Sequence, residues 1–172
     1  MKNLLLDIGK KSRKAFSNEL STKKKDKVLK DYYQLILKNK KSILDENKKD
    51  IKSAIQKGIK NNLIKRLILD EKKISSIAQS IKKIIKLKDP TNIILEKWKR
   101  PNGLNISKIS IPIGVISVIY ESRPNVTSDV ASLCFKSGNS VILKGGSEAY
   151  YSNIILSNLF RKSLKKNKVD EN

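Results

Sequence analysis

Apolar residues recur at helical spacing through the first half of the chain, and the period changes at Asp89-Pro90. Residues 2–18 carry Leu5, Ile8, Ala15 and Phe16 towards one side, which predicts a helix. Ser21 or Thr22 starts a second helix running to about Lys40, with Val28, Leu29, Tyr32, Ile36 and Leu37 inward. A third begins at Ser42, repeats Ile43, Leu44, Asn47, Ile51, Ala54 and Ile55, and stops at Gly58. A short helix is expected over Asn62–Leu69. A longer one spans Glu71 to Leu87 and buries Ile74, Ile77, Ala78, Ile81, Ile84 and Ile85. The residue before a proline is pushed out of the helical region, so Asp89-Pro90 closes a helical lead-in, residues 1–89.

Extended patterns follow. Ile93–Trp98 and Leu104–Ile111 flank Arg100-Pro101-Asn102-Gly103, whose Asn-Gly is a strong hairpin signal. Two strands alone are marginal in water. The arm, residues 92–111, is therefore expected to lie either on its own domain or on a partner subunit. Val115–Tyr120 has the β-branched composition of a strand buried on both faces. After the polar break Glu121–Asn125, Pro124 suits the start of a helix, and Asn125 or Thr127 can cap it. Val126, Val130, Leu133 and Cys134 keep helical spacing, Gly138-Asn139 ends the helix, and Ser140–Leu143 is a second buried strand. Lys144–Glu148 turns into a last helix, Ala149–Lys166, with Ile154, Ile155, Leu159 and Leu164 apolar. Residues 113–167 thus form a βαβ unit, whose crossover is right-handed. One domain with an arm is expected. Open sheets bind ligands beyond the carboxyl ends of their strands. Those ends carry Glu121, Arg123, Asn125, Lys144, Ser147 and Glu148, and Arg123 and Lys144 are expected to reach the same crevice.

Composition narrows the chemistry. A chain of 172 residues buries enough surface for one domain without staples. One cysteine and no histidine exclude an internal disulfide, a Cys/His metal cluster and a His-based catalytic dyad within the chain; no metal site is expected. Cys134 sits mid-helix between Leu133 and Phe135, where a buried thiol is inert, and is read as structural. The net charge of +22 would suit nucleic acid. Yet the positive charge is almost all lysine on polar helix faces, with arginine only at 13, 66, 100, 123 and 161. The chain is also rich in Ile and Asn, as A/T-rich codons dictate, and has no aromatic stacking platform for bases. A solvated surface that attracts small anions is the better reading. Asp7 cuts the leucine run too short for a signal core, and no segment approaches the ~20 apolar residues of a membrane span. A soluble, cytoplasmic protein without nucleic-acid or membrane partners is expected.

The stretch IPIGVISVIYESRPNVTSDVASLCFKSGNSVILKGGSEA resembles the signature region of the gamma-glutamyl phosphate reductase family, a branch of the aldehyde dehydrogenase superfamily. Tyr120–Thr127 is the part specific to that branch; Asn62–Leu67, Asp89-Pro90 and the hairpin fit as well. The resemblance implies an α/β fold: N-terminal helices, then a Rossmann-like βαβ unit of the aldehyde dehydrogenase fold, incomplete, with a β-hairpin arm. Residues 1–172 would be a partial NADP-binding domain and 92–111 an oligomerisation arm. The implied reaction is NADPH-dependent reduction of L-glutamyl 5-phosphate to L-glutamate 5-semialdehyde with release of phosphate, in proline biosynthesis. In the family a cysteine displaces phosphate to give an acyl thioester, and that cysteine lies further along than this sequence reaches. No catalytic residue is therefore expected here. The chain alone is expected to be inactive as a reductase and poorly stable or aggregating, with a sheet edge and a helix face uncovered.

The resemblance also implies site residues. Lys144 takes the place of the lysine that bonds the adenosine ribose. Ser147 stands where NAD-preferring relatives have Glu, which leaves room for a 2′-phosphate, although Glu148 is next to it. Gly145 and Gly146 either let the backbone approach the cofactor or form an ordinary turn, and no GxGxxG fingerprint accompanies them. Arg123 and Asn125 are the substrate-binding candidates, since Arg grips carboxylate and phosphate bidentately. Asn125 caps the helix, bonds substrate or stabilises an oxyanion; Glu121 is a structural partner for Arg123. Implied partners are a second copy of the full-length chain and glutamate 5-kinase for channelling. Another acyl-phosphate or aldehyde reductase, or a non-catalytic basic binding protein on the same fold, are the alternative readings.

Overall fold

The computed structural model describes residues 2–17 and 19–172, and within them seven α-helices and four strands. The helices come first, and their caps explain their limits. Helix α1 is Lys2–Phe16 and α2 is Thr22–Lys38, whose free Lys24 amide donates to the Ser21 hydroxyl. Helix α3, Lys40–Gln56, starts two residues before Ser42, because Asn39 closes α2 and opens α3 in a single joint: its backbone and side-chain N–H groups both donate to the Leu35 carbonyl. Gly58, at φ +66°, ends α3. Helix α4 is Asn61–Leu67, and α5 is Glu71–Lys86 with Asp70 accepting from the Lys73 amide.

The core is a helical layer. Val28, Leu29, Tyr32 and Ile36 of α2 are fully buried, and Ile74, Ile77, Ala78 and Ile81 of α5 join them in one cluster. The far side comes from α7, Tyr150–Lys166, through Leu156, Leu159, Phe160 and Leu164. The Tyr32 and Phe160 rings meet edge to face at 4.9 Å.

On this layer lies a two-stranded parallel sheet, β3 (Val115–Ile119) and β4 (Ser140–Lys144), in register from Val115–Ser140 to Ile119–Lys144. The crossover is α6, Pro124–Lys136, with Pro124 in its first turn. Val141 and Leu143 of β4 pack on the core, and α1 lies against β4 and β3.

The structure corrects several expectations. Strand β3 is not buried on both faces: β4 is its single paired neighbour among the described residues, and Ile119 is 80% exposed. In α6 the inward positions are Thr127, Ser128, Ala131 and Ser132, while Leu133 is exposed; small side chains fit where α6 packs on both α5 and α7. Neither Asn125 nor Thr127 caps α6, whose N-cap is Arg123 without a side-chain bond. In α1, Ser12 is buried with Ile8 and Ala15 half-buried, and Leu5 is exposed.

The arm is β1 (Ile94–Lys99) paired antiparallel with β2 (Asn105–Ile109). Its turn is not a two-residue Asn-Gly turn. Pro101 fixes a negative φ, so Gly103 N–H donates to the Arg100 carbonyl and Arg100 N–H to the Leu104 carbonyl, with Gly103 alone at φ +88°. Every residue of β1 is exposed, as is all of β2 except Ile106, so the arm does not lie on its own domain. Its base is pinned: the Lys25 ammonium, 2% exposed, donates to Asp89 at 2.8 Å. Among the described residues no helix is long and apolar enough to cross a membrane.

Candidate functional site

Strands β3 and β4 end side by side, and Tyr120 N–H extends their pairing by donating to the Lys144 carbonyl at 3.1 Å. Glu121-Ser122-Arg123 leaves one strand and Gly145-Gly146-Ser147-Glu148 the other. The two loops touch at the glycines. A Cβ on Gly146 would lie 2.4 Å from the Ser122 hydroxyl, and one on Gly145 would lie 2.3 Å from the Asn153 amide nitrogen. A side chain at either position would have to push these neighbouring side-chain ends aside.

This contact divides the space beyond the strands into two cavities. The larger, about 940 Å³, lies between α1, β4 and α7 and is lined by Lys144, Gly145, Gly146 and Ser147, with Tyr150 and Asn153 beside them. The smaller, about 260 Å³, lies between α4 and both loops, and Arg66, Glu121, Ser122 and Glu148 line it.

Hydrogen bonds fix which side chain faces which cavity. The Ser122 hydroxyl donates to Glu148 Oε2 at 2.5 Å and the Ser147 hydroxyl to Oε1 at 3.2 Å. The Ser122 bond first, then the backbone N–H of Glu148 itself, hold the Glu148 carboxyl below its ordinary range. Glu148 lines the smaller cavity and Ser147 the larger, with the Ser147–Glu148 bond between them. Beneath Gly145 a relay orders the α7 side. Thr127 donates to Asn153 Oδ1 at 2.8 Å, so its 2.7 Å bond with Tyr120 must use the tyrosine proton.

Arg123 and Asn125 line neither cavity, so Arg123 and Lys144 do not share a crevice. As the extended N-cap of α6, Arg123 is turned towards Glu121, with Nε 3.7 Å from Oε2. Asn125 is exposed and donates to Asp129 at 3.3 Å. Glu121 is a partner of Arg123, as expected, but its shorter bond, 3.0 Å, comes from Arg66. Arg66 and the inward turn of Glu148 were not read from the sequence. The available signal was that Arg66, one of five arginines, falls within the Asn62–Leu67 segment that carries the family likeness. Cys134 is 8% exposed, and burial pushes its thiol up, away from the reactive thiolate.

No family model matches the chain. It is 58% identical over 105 residues to gamma-glutamyl phosphate reductase from Nautilia profundicola, covering 61% of this chain and 26% of that protein. With the protein of the same name from Carboxydothermus hydrogenoformans the identity is 41% over 169 residues, covering 97% of this chain and 41% of the relative. The crystal structure of gamma-glutamyl phosphate reductase from Thermotoga maritima superposes with a TM-score of 0.93 at 37% identity, covering 97% of this chain and 41% of that one. A probable aldehyde dehydrogenase from Listeria monocytogenes, 12% identical, shares the fold with a TM-score of 0.69, covering 98% of this chain and 35% of that one. Aligned along nearly its whole length, the chain spans about two fifths of the curated relatives it matches. Sequence and architecture agree: the chain is a homologue of the gamma-glutamyl phosphate reductases, matching the N-terminal portion of their aldehyde dehydrogenase-type fold.

Proposed function

We propose that these residues form the nucleotide-binding portion of an oxidoreductase that reduces L-glutamyl 5-phosphate to L-glutamate 5-semialdehyde, releasing phosphate, in proline biosynthesis. The nucleophilic cysteine belongs to sequence outside them, and NADPH supplies the hydride when bound. One observation carries the choice of NADP. Lys144 and Ser147 open on the larger cavity, while the Glu148 carboxylate lines the smaller one, held there by Ser122 and, at 3.2 Å, by the Ser147 hydroxyl. A carboxylate in place of Ser147 would repel a 2′-phosphate, whereas the Lys144 ammonium attracts it and the Ser147 hydroxyl can turn from Glu148 to donate to it. Lys144 is exposed and forms no ion pair among the described residues, so its charge is available.

The other parts have separate tasks in this reading. Gly145 and Gly146 keep the loop low so that the nucleotide lies close to the backbone. Arg123 and Asn125, at the start of α6 and outside both cavities, are kept in this reading as outer contacts of the substrate. The arm, residues 92–111, covers its apolar side chains on another subunit of a homo-oligomer; Leu95, Trp98 and Leu104 are all exposed. Glutamate 5-kinase, the source of the acyl phosphate, is the partner for channelling in the cytoplasm.

Titrating the chain with NADPH, NADH and duplex DNA at about 0.15 M salt tests the reading, since non-specific DNA binding falls steeply with salt. NADPH is expected to bind more tightly than NADH, and Ser147→Glu to remove that preference. Tighter binding of DNA than of NADPH would instead support a non-catalytic basic protein. The chain alone is expected to show no reductase turnover, and robust turnover would refute the location of the nucleophile.

A further inference from the structure

The smaller cavity, between α4 and the loops after β3 and β4, occupies the position where open α/β sheets hold ligands. At about 260 Å³ it admits a small molecule, a lone water's share of the liquid being about 30 Å³. Its walls differ in chemistry. Leu63 and Ile64 of α4 make an apolar side. Opposite them stand one guanidinium and two carboxylates. Arg66 commits Nη1 to Glu121, and no other hydrogen bond or ion pair from its planar fork is made among the described residues. Glu148 is fixed in place, because Ser122 and Ser147 each donate to a different one of its oxygens. Each carboxylate oxygen still has a lone pair for a further donor. A phosphate here would face two carboxylates, and a simple cation would face Arg66. The complement of this lining is a molecule that carries both an ammonium and a carboxylate at one end and an aliphatic remainder.

We propose that the cavity holds the head of an α-amino acid, its carboxylate on Arg66, its ammonium on Glu148 and its methylenes along Leu63 and Ile64. The reading above is used only to name that amino acid as glutamyl. Glu121, now the partner of Arg66, is displaced from the guanidinium or shares it when the ligand carboxylate arrives.

Amide NMR shifts of the 172-residue chain, titrated with L-glutamate, test this, with NADPH titrated into the same samples. L-glutamate is expected to shift Arg66, Ser122 and Gly146. Glutarate, which lacks the ammonium, and 4-aminobutyrate, which lacks the α-carboxylate, are expected to bind at least about tenfold more weakly. Arg66→Met and Glu148→Gln should each weaken L-glutamate by a similar factor, and Leu63→Trp should fill the cavity and abolish binding. Arg66→Met and Leu63→Trp should leave NADPH binding unchanged. Absence of shifts at this cavity, or shifts that the three variants do not alter, would overturn the proposal. NADPH binding without a glutamate response would remove the amino-acid subsite and keep the nucleotide site, and the converse result would do the opposite.

Discussion

Residues 22–87 and residues 92–119 are both rich in isoleucine and leucine, yet they meet solvent in opposite ways. In α2, Val28, Leu29 and Ile36 have no exposed surface, whereas Leu95 is 56% exposed and Ile111 77%. The helical lead-in finds its complementary faces within the chain, on α6 and α7. The arm strands do not: among the described residues β1 and β2 pair only with each other, and β3 has β4 as its single paired neighbour. Apolar content therefore says that a surface will be covered, without saying by what. Ion pairs follow the same division. Three acidic or basic groups of α2 tie it to the rest of the body, Lys25 to Asp89, Asp26 to Lys136 and Asp31 to Lys166.

The strongest way to break this contrast is to cut the tie between the two regions. Lys25 is 2% exposed and its partner Asp89 10%, so Lys25→Met leaves a nearly buried carboxylate without its cation. Removing one partner of a buried pair costs roughly 3–5 kcal/mol. Urea unfolding should show that loss, and Asp89→Asn added to Lys25→Met should recover part of it. A single-variant loss below about 1 kcal/mol would mean that the pair behaves as an exposed one.

Truncating matched leucines comes next. Leu29→Ala removes a side chain that is fully buried and should cost about 3–5 kcal/mol. Leu95→Ala, in the arm, should stay within about 0.5 kcal/mol of the parent. Equal losses at the two sites would show that the arm is part of the cooperative core.

The periodicity of α5 was fully legible, because its buried positions Ile74, Ile77, Ala78, Ile81 and Ile84 report one face of one helix. Ser21, Asp70 and Gly58 act locally and mark helix ends without needing tertiary contacts. The βαβ order was legible for the same reason. What could not be read depends on residues far apart in sequence. Asp50, buried in α3, accepts from the Tyr151 and Ser152 amides and so caps α7 from another helix. Arg66 reaches Glu121, and Ser122 reaches Glu148, only because α4 and the two strand ends converge. At the candidate site Lys144–Ser147 line the larger cavity, whereas Arg123, the arginine read at the strand end, lines neither cavity and Arg66, from a distant helix, lines the smaller.

A smaller effect is set by pH. Burial alone would raise the Asp89 carboxyl, but bonds from Lys25, from the Thr91 hydroxyl and amide and from Thr22 outweigh it and bring it to about 2. A carboxyl depressed in the folded state gives stability that is present above its unfolded pKa of about 3.9 and is lost as pH falls towards the folded value. Melting temperature should therefore drop between about pH 4 and pH 2, and the drop should be shallower in Lys25→Met. Parallel curves for the two proteins would assign the acid loss to other carboxylates.

The least destabilising substitution sharpens the contrast most. Trp98 pairs across the arm with Ile106 and is 43% exposed. A cross-strand pair of this kind contributes roughly 0.2–1 kcal/mol to the hairpin, which the core does not share. Trp98→Ala should leave urea unfolding of the body within about 0.5 kcal/mol. Its effect is expected in sedimentation instead, as weaker self-association, because a large aromatic side chain on an exposed strand is the type of anchor that subunit contacts use. Unchanged sedimentation together with unchanged unfolding would leave Trp98 without a role between subunits. A large loss of stability would place the arm on its own body, against the exposure of all six β1 residues.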